Sequence, residues 1–239
     1  MPNWASSKVT IVGDYDTVMA IKDRLAKPYT TPWAGETNWK GEPTPAEQVE
    51  GVFLLWNIVK PSNLDTYLER GKKAFDSIVK ADPDLVEIDK ADKTSTPFDA
   101  NQALVKILEE RKTSDDWYNW NCRNWGTKWE ITDEASIVYE MPTILAGEMG
   151  DTDPDTMPVS LEITYHLESA WSPPVEALDH LASQYPDITI NLSSIDESDC
   201  FAYEAQWLDG DKFYENEPEI THALGMDLRG YCNLECCNE

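Results

Sequence analysis

The chain has 239 residues and a formal net charge of −26 at pH 7, with 41% hydrophobic and 10% aromatic residues, ten of them Trp. That apolar content excludes a disordered acidic tail, and the length suffices to bury a core as one large domain or two small ones. Gly51 to Val59, the longest apolar stretch, falls far short of the ~20 residues a membrane span needs. The opening Met-Pro-Asn-Trp has neither a basic nor an apolar signal region, so a soluble cytoplasmic protein with reduced thiols is expected.

Lys8 to Val12 reads as a strand, Val9 and Ile11 alternating with Lys8 and Thr10, and Gly13-Asp14 ends it. A helix is predicted from there to about Lys27, with Val18, Ile21 and Leu25 on its apolar face and Asp16 as N-cap. Residues 28–50 hold four Pro and two Gly and read as a long ordered loop. Val52 to Val59 reads as an apolar strand stopped by Pro61, which makes the N-terminal part β-α-β.

The middle section reads as helical. One short helix carries Leu64, Tyr67 and Leu68, and a second carries Phe75, Ile78 and Val79. A third runs from about Ala100 through Leu104, Ile107 and Leu108 into the segment Asp115 to Trp129. Ser136 to Tyr139 reads as a strand, and the turn-rich acidic run 149–158 marks a subdomain boundary.

The C-terminal part has the clearest pattern. Leu161, Ile163, Tyr165 and Leu167 alternate with Glu162, Thr164, His166 and Glu168, as in a half-buried strand. Ser172-Pro173 reads as an N-cap and first helical residue, followed by a helix with Val175, Leu178, Leu181, Ala182 and Tyr185 on one face. Strands follow at Ile188–Leu192 and Phe201–Trp207, and Asp209-Gly210 signals a hairpin. The expected fold class is α+β, with a ferredoxin-like β-α-β-β unit over 160–214 joined to the N-terminal β-α-β and helical segment. Its core is expected to unite Ile163, Tyr165, Leu178, Leu181, Ile190, Tyr203 and Trp207. The division falls between residues 1–148 and an acidic part, 149–239, unless the two form one continuous domain.

Three segments occur together: Met-Pro-Asn-Trp at the start, Asn124-Trp125-Gly126-Thr127-Lys128-Trp129, and Ala170-Trp171-Ser172-Pro173-Pro174. In this order and spacing the chain resembles the YubB-type family of phages and conjugative plasmids, whose members carry a ferredoxin-like C-terminal domain. It departs from the family start, with Ala5 and Ser7 where Cys and Asn are usual. The resemblance implies a mobile-element accessory protein acting in the bacterial host's cytoplasm, from a gene neighbourhood that often counters host defence. It implies no established activity. The Trp residues of these segments flank turns and helix faces, where large aromatics anchor the edge of a core.

No phosphate loop, nucleophile elbow or zinc-protease helix is present, so a non-enzymatic protein without cofactor is expected. The alternative is a calcium- or zinc-dependent module or small enzyme, built on one of two clusters. Asp151, Asp153, Asp155 and Glu162 match positions 1, 3, 5 and 12 of a calcium loop, although Thr156 stands where Gly is required and Pro154 stiffens the run. Cys232, Cys236 and Cys237, with Cys200 or His222, could gather zinc, but adjacent Cys rarely both ligate one ion. The expectation is that the tail binds no metal.

The charge is unevenly spread. Residues 1–128 hold 20 acidic and 17 basic residues, a net of −3; residues 129–239 hold 25 acidic residues with Lys212 and Arg229, a net of −23. Direct nucleic-acid binding is disfavoured, because phosphate contacts need Lys and Arg. The reverse follows: spaced carboxylates on a rigid sheet could occupy a groove built for DNA. The surface expected to do so comprises Glu162, Glu168, Glu176, Asp179, Asp187, Asp196, Glu197, Asp199, Glu204, Asp209 and Asp211, at least eight of them solvent-exposed because burial of unpaired carboxylates is prohibitive. The partner is then a basic host protein, one that binds nucleic acid. An acidic scaffold whose charge only keeps it soluble is the remaining alternative.

Overall fold

The computed structural model describes residues 3–35, 42–68, 116–144 and 159–233. The chain divides into two compact units, residues 1–60 with 124–239, and residues 61–123. In the larger unit β1 (Trp4–Asp14) leads into α1 (Tyr15–Leu25), then two-residue strands β2 (Tyr29–Thr30) and β3 (Gln48–Val49) pair with each other. β4 (Ala135–Ile144), β5 (Val159–Ala170), α4 (Val175–Gln184), β6 (Thr189–Asp196), β7 (Ala202–Leu208), β8 (Asp211–Asn216) and α5 (His222–Arg229) complete it. In the smaller unit α2 (Leu64–Leu68) supplies Tyr67, whose ring meets Trp120 edge-on and whose hydroxyl donates to Asn121 Oδ1 at 3.1 Å. Trp120 and Asn121 lie on α3 (Trp117–Asn124), the described remainder of the third predicted helix. The second predicted helix, at Phe75, Ile78 and Val79, lies outside the described residues, as does the 149–158 run.

The protein is α+β with an antiparallel six-stranded sheet ordered β4-β5-β1-β6-β7-β8. β5-α4-β6-β7 is the expected β-α-β-β, but β5 and β6 do not touch. β1, from the other end of the chain, lies between them, antiparallel to both, with Val9 opposite Tyr165 on one side and Leu192 on the other. Taken in chain order, β1-α1-β4-β5-α4-β6 is therefore the split β-α-β-β-α-β arrangement, with β7 and β8 added at one edge. The sheet joins strands from both sides of the expected 148/149 division. β1 and β5 together bury Val9, Ile11, Ile163, Tyr165 and Leu167 on the face covered by α1 and α4.

Of the seven expected core residues, Ile163, Tyr165, Leu178, Leu181, Ile190 and Trp207 are fully buried, and Tyr203 is half-buried at the margin. The Asp209-Gly210 turn forms with φ of 52° and 86°, the pair of positive values that a two-residue hairpin matching strand twist requires.

Three local expectations are corrected. Val52–Val59 is not a strand: the chain runs irregularly into a 3-10 turn at Leu55–Asn57, burying Phe53, Leu54 and Leu55 in succession. A short apolar run carries no periodicity that separates these outcomes. The α1 N-cap is Asp14, which accepts from Thr17 N at 3.2 Å, rather than Asp16. α4 starts at Val175 with no side-chain cap, because Ser172 turns away and donates to the Gly126 carbonyl. On the polar sheet face, Leu228 of α5 packs with Ile195 and Ala202 and covers one end.

Candidate functional site

The eleven carboxylates separate by what each accepts. Asp187, Asp209 and Asp211 are exposed, gathered where the α4–β6 turn meets the β7–β8 hairpin, with Gly210 lying against Pro186. Seven are half-buried. Glu168 lies opposite Ser6 and takes its hydroxyl at 2.7 and 2.9 Å on its two oxygens. Asp179 accepts Trp207 Nε1 at 2.6 Å, anchoring α4 to β7. Asp199 forms an ion pair of 2.7 Å with Arg229, whose side chain is 1% exposed. Glu176, on the first turn of α4, has its carboxyl raised, chiefly by burial. Glu162 and Glu204 occupy the polar sheet face, and Glu197 follows β6, its N–H donating to the Trp4 carbonyl at 2.8 Å.

Asp196 is fully buried. Asn3 Nδ2 donates to it at 2.5 Å, Phe201 N at 3.3 Å and Cys200 N more closely, so it organises the β6–β7 loop. The expectation that most of the eleven would be solvent-exposed is thus corrected. Neutral side-chain and backbone donors meet the carboxylates of Glu168, Asp179 and Asp196, which lowers the cost of their burial without a cation, whereas Asp199 is met by Arg229.

The cations of this half are consumed locally. Lys212 pairs with Glu215 at 3.0 Å and Arg229 with Asp199. From the first half, Lys8 reaches Asp227 at 2.5 Å and Lys22 reaches Glu140 at 2.6 Å. Among the described residues, no Lys or Arg of residues 1–128 pairs with any of the eleven.

The three sequence segments singled out above meet in space. Trp171 N donates to the Asn3 carbonyl at 2.8 Å, and Thr127 Oγ1 donates to the Ala170 carbonyl at 2.8 Å. Trp125 is buried, its Nε1 donating to the Val59 carbonyl at 3.0 Å. Lys128 Nζ lies 4.6 Å from both the Trp129 and Trp171 ring centres, and Trp4 leans on Trp129 at 6.1 Å. Trp171 adopts φ 77°, unusual for a non-glycine residue and held by the Asn3 contact. Gly126, at φ +83°, has no room for a Cβ, which would fall 2.0 Å from Glu176 Oε2 and 3.0 Å from Val175 N. These segments seat the β5–α4 connection against the start of β1.

Beside this cluster, Trp4, Ser6, Glu134, Glu168, Glu197 and Tyr231 line a concavity of about 330 Å³. Among the described residues no group of three or more His, Cys, Asp or Glu is placed to hold a metal ion. Asp151, Asp153, Asp155, Cys236 and Cys237 lie outside the described residues; Glu162 is in β5, Cys232 is half-buried and Cys200 exposed. Among the described residues no helix is long and apolar enough to cross a membrane.

Sequence reasoning did not single out Glu130. Its carboxylate accepts from Leu55 N at 2.6 Å, Trp56 N at 2.9 Å, Ile131 N at 3.0 Å and Tyr29 OH at 2.9 Å. Burial nevertheless pushes its carboxyl up to about 7, against the lowering effect of those four donors. The one available signal was a lone acid between Trp129 and Ile131.

Residues 152–222 match the family model described as the ferredoxin-like domain in Api92-like protein. No curated protein matches the chain. A crystal structure of the protein Api92 from Yersinia pseudotuberculosis aligns with 92% of this chain and 99% of that one, at 10% identity and a TM-score of 0.38. The domain match shows a ferredoxin-like domain over residues 152–222, and in the structure β1 and α1 from the start of the chain complete it.

Proposed function

We propose that the chain is a non-enzymatic accessory protein of a mobile element that binds a basic host protein through its acidic half. It would cover the surface on which that host protein holds nucleic acid, and so inhibit it, a host defence factor being the target that the mobile-element setting favours. The observation that supports this best is the fate of the cations: Lys212 and Arg229 are both committed to local ion pairs, while Glu162, Glu204, Asp187, Asp209 and Asp211 have no ion pair among the described residues. A rigid sheet then presents carboxylates of one sign, and such a field speeds encounter with a basic groove. The mobile-element setting rests on the resemblance of the three converging segments.

The test is capture from a bacterial host lysate on the tagged full chain, at low and high salt, with duplex DNA as competitor. The reading expects a nucleic-acid-binding protein that is retained at low salt and released both by DNA and by high salt, where screening shortens to a few Å. Capture indifferent to salt and DNA would contradict it.

A further inference from the structure

The sheet ends at β8, and that edge differs in kind from the opposite one. Both edges expose apolar side chains: Val138, Tyr139 and Met141 on β4, Phe213 and Tyr214 on β8. On β4, however, Pro142 has no N–H to offer, and the register shifts between Ile137 and Tyr139. A proline is a device that closes a sheet edge to further strands, and it is the feature that separates β4 from β8. β8 contains no proline between Asp211 and Asn216, and every side chain along it except Lys212 is exposed. Its one irregularity lies between the Gln206 and Trp207 pairings, where Phe213 is the extra residue and stands 60% exposed.

Charge decides what could pair there. Asp209, Asp211, Glu215, Glu217 and Glu219 flank the edge and are all exposed, and Lys212 is already paired with Glu215. A second copy of this chain would bring an equal set of carboxylates against the first, which like-charge opposition disfavours. A strand rich in Lys and Arg meets the reverse condition. Each sheet face beside β8 also has a concavity with acids in it. On the α4 side, Glu176, Tyr203, Glu217 and Lys212, the last paired with Glu215, line about 380 Å³; on the polar side, Glu204, Gln206, Tyr214 and Lys8, the last paired with Asp227, line about 360 Å³. Successive side chains of an added strand point to alternate faces, so consecutive basic residues would address both.

We propose that β8 is the docking edge for an extended Lys/Arg-rich segment of the partner protein, added as a seventh antiparallel or parallel strand. Main-chain hydrogen bonds to β8 supply the register, and the flanking carboxylates select for basic side chains. This rests on the acidic-binding reading above and specifies the partner's contacting element.

The test uses the full chain and two fluorescent eight-residue peptides of repeating Lys-Lys-Val-Val, so that basic side chains reach both faces. One has a normal backbone; in the other, every amide is N-methylated, which keeps the charge and removes the main-chain donors from both strand edges. The normal peptide is expected to bind at least tenfold more tightly, with new hydrogen-exchange protection confined to residues 211–216. The double variant Asp211→Lys, Glu217→Lys should lose that binding with an unchanged circular-dichroism spectrum. Equal binding of the two peptides would overturn strand addition while leaving the acidic-surface reading intact, since charge alone would then explain it. Binding of neither, protection elsewhere than β8, or a dimer that buries β8 would also overturn it. Failure of the acidic-surface reading itself would appear separately, as salt-independent capture from the lysate.

Discussion

The carboxylate of Glu130 accepts the Leu55 N–H at 2.6 Å across 75 residues of sequence, and it takes the neighbouring Trp56 N–H on its other oxygen. One acid thereby caps the 3-10 turn that carries Leu55 into the core. With burial raising its carboxyl to about 7, the folded chain retains a proton that the unfolded chain releases near the ordinary glutamate value. Stability contributed by this group is therefore present at low pH and falls as pH rises from about 4.5 through 7. The loss would amount to roughly 3 kcal/mol. Glu130→Gln should flatten that slope relative to the native chain in urea melts at pH 5 and pH 8. Glu130→Ala should cost at least about 3 kcal/mol at either pH, because three N–H groups lose their acceptor. An identical pH slope in the native chain and the Gln variant would contradict this account.

Gly126 is required by both conformation and space. Its φ of +83° disfavours any L side chain, and a Cβ would meet the Val175 backbone as well as Glu176. Gly126→Ala should destabilise the chain by at least about 2 kcal/mol. Glu176→Ala added to it should recover only a part, since the backbone contact and the positive φ remain. Denaturant midpoints of the single and double variants check this, and full recovery would show that the carboxylate alone sets the constraint.

The elements that could be read directly are those with one face in the core. Leu161-Ile163-Tyr165-Leu167 and Val175-Leu178-Leu181-Ala182 carry their periodicities because each contacts the core on one side only. Asp209-Gly210 was legible because its backbone demands those residue types. β8 left no such trace: its side chains are exposed on both faces, so Asp211–Asn216 shows no alternation. Nor could sequence place β1 between β5 and β6, since that order depends on packing between distant segments. The acidic half shows the same boundary. Its charge imbalance is plain in composition, but the partners of Glu168 and Asp179, Ser6 on β1 and Trp207 on β7, come from strands distant in sequence. Local sequence therefore overstated how many of the acids face solvent.

Asp196 separates structural acids from surface acids. Replacing it with Ala leaves Asn3 Nδ2 and the N–H groups of Cys200 and Phe201 without an acceptor, for an expected cost of about 2–4 kcal/mol. Asp196→Asn keeps one oxygen for them and should cost less. The triple variant Asp187→Asn, Asp209→Asn, Asp211→Asn should leave thermal stability unchanged or slightly raised, because those side chains are exposed amid like charge. Equal melting temperatures for Asp196→Ala and the native chain would contradict the loop's dependence on this carboxylate.

The most direct measurement of the central claim is the association rate between the full chain and the host protein it captures, followed by stopped flow across a salt series. The native chain is expected to associate fast at low salt and progressively more slowly as ionic strength rises, by an order of magnitude or more over the range. The Asp187, Asp209 and Asp211 triple Asn variant should associate several-fold more slowly at low salt and converge on the native rate at high salt. Rates that are the same for both proteins at every salt concentration would contradict an acidic surface built to engage a basic partner.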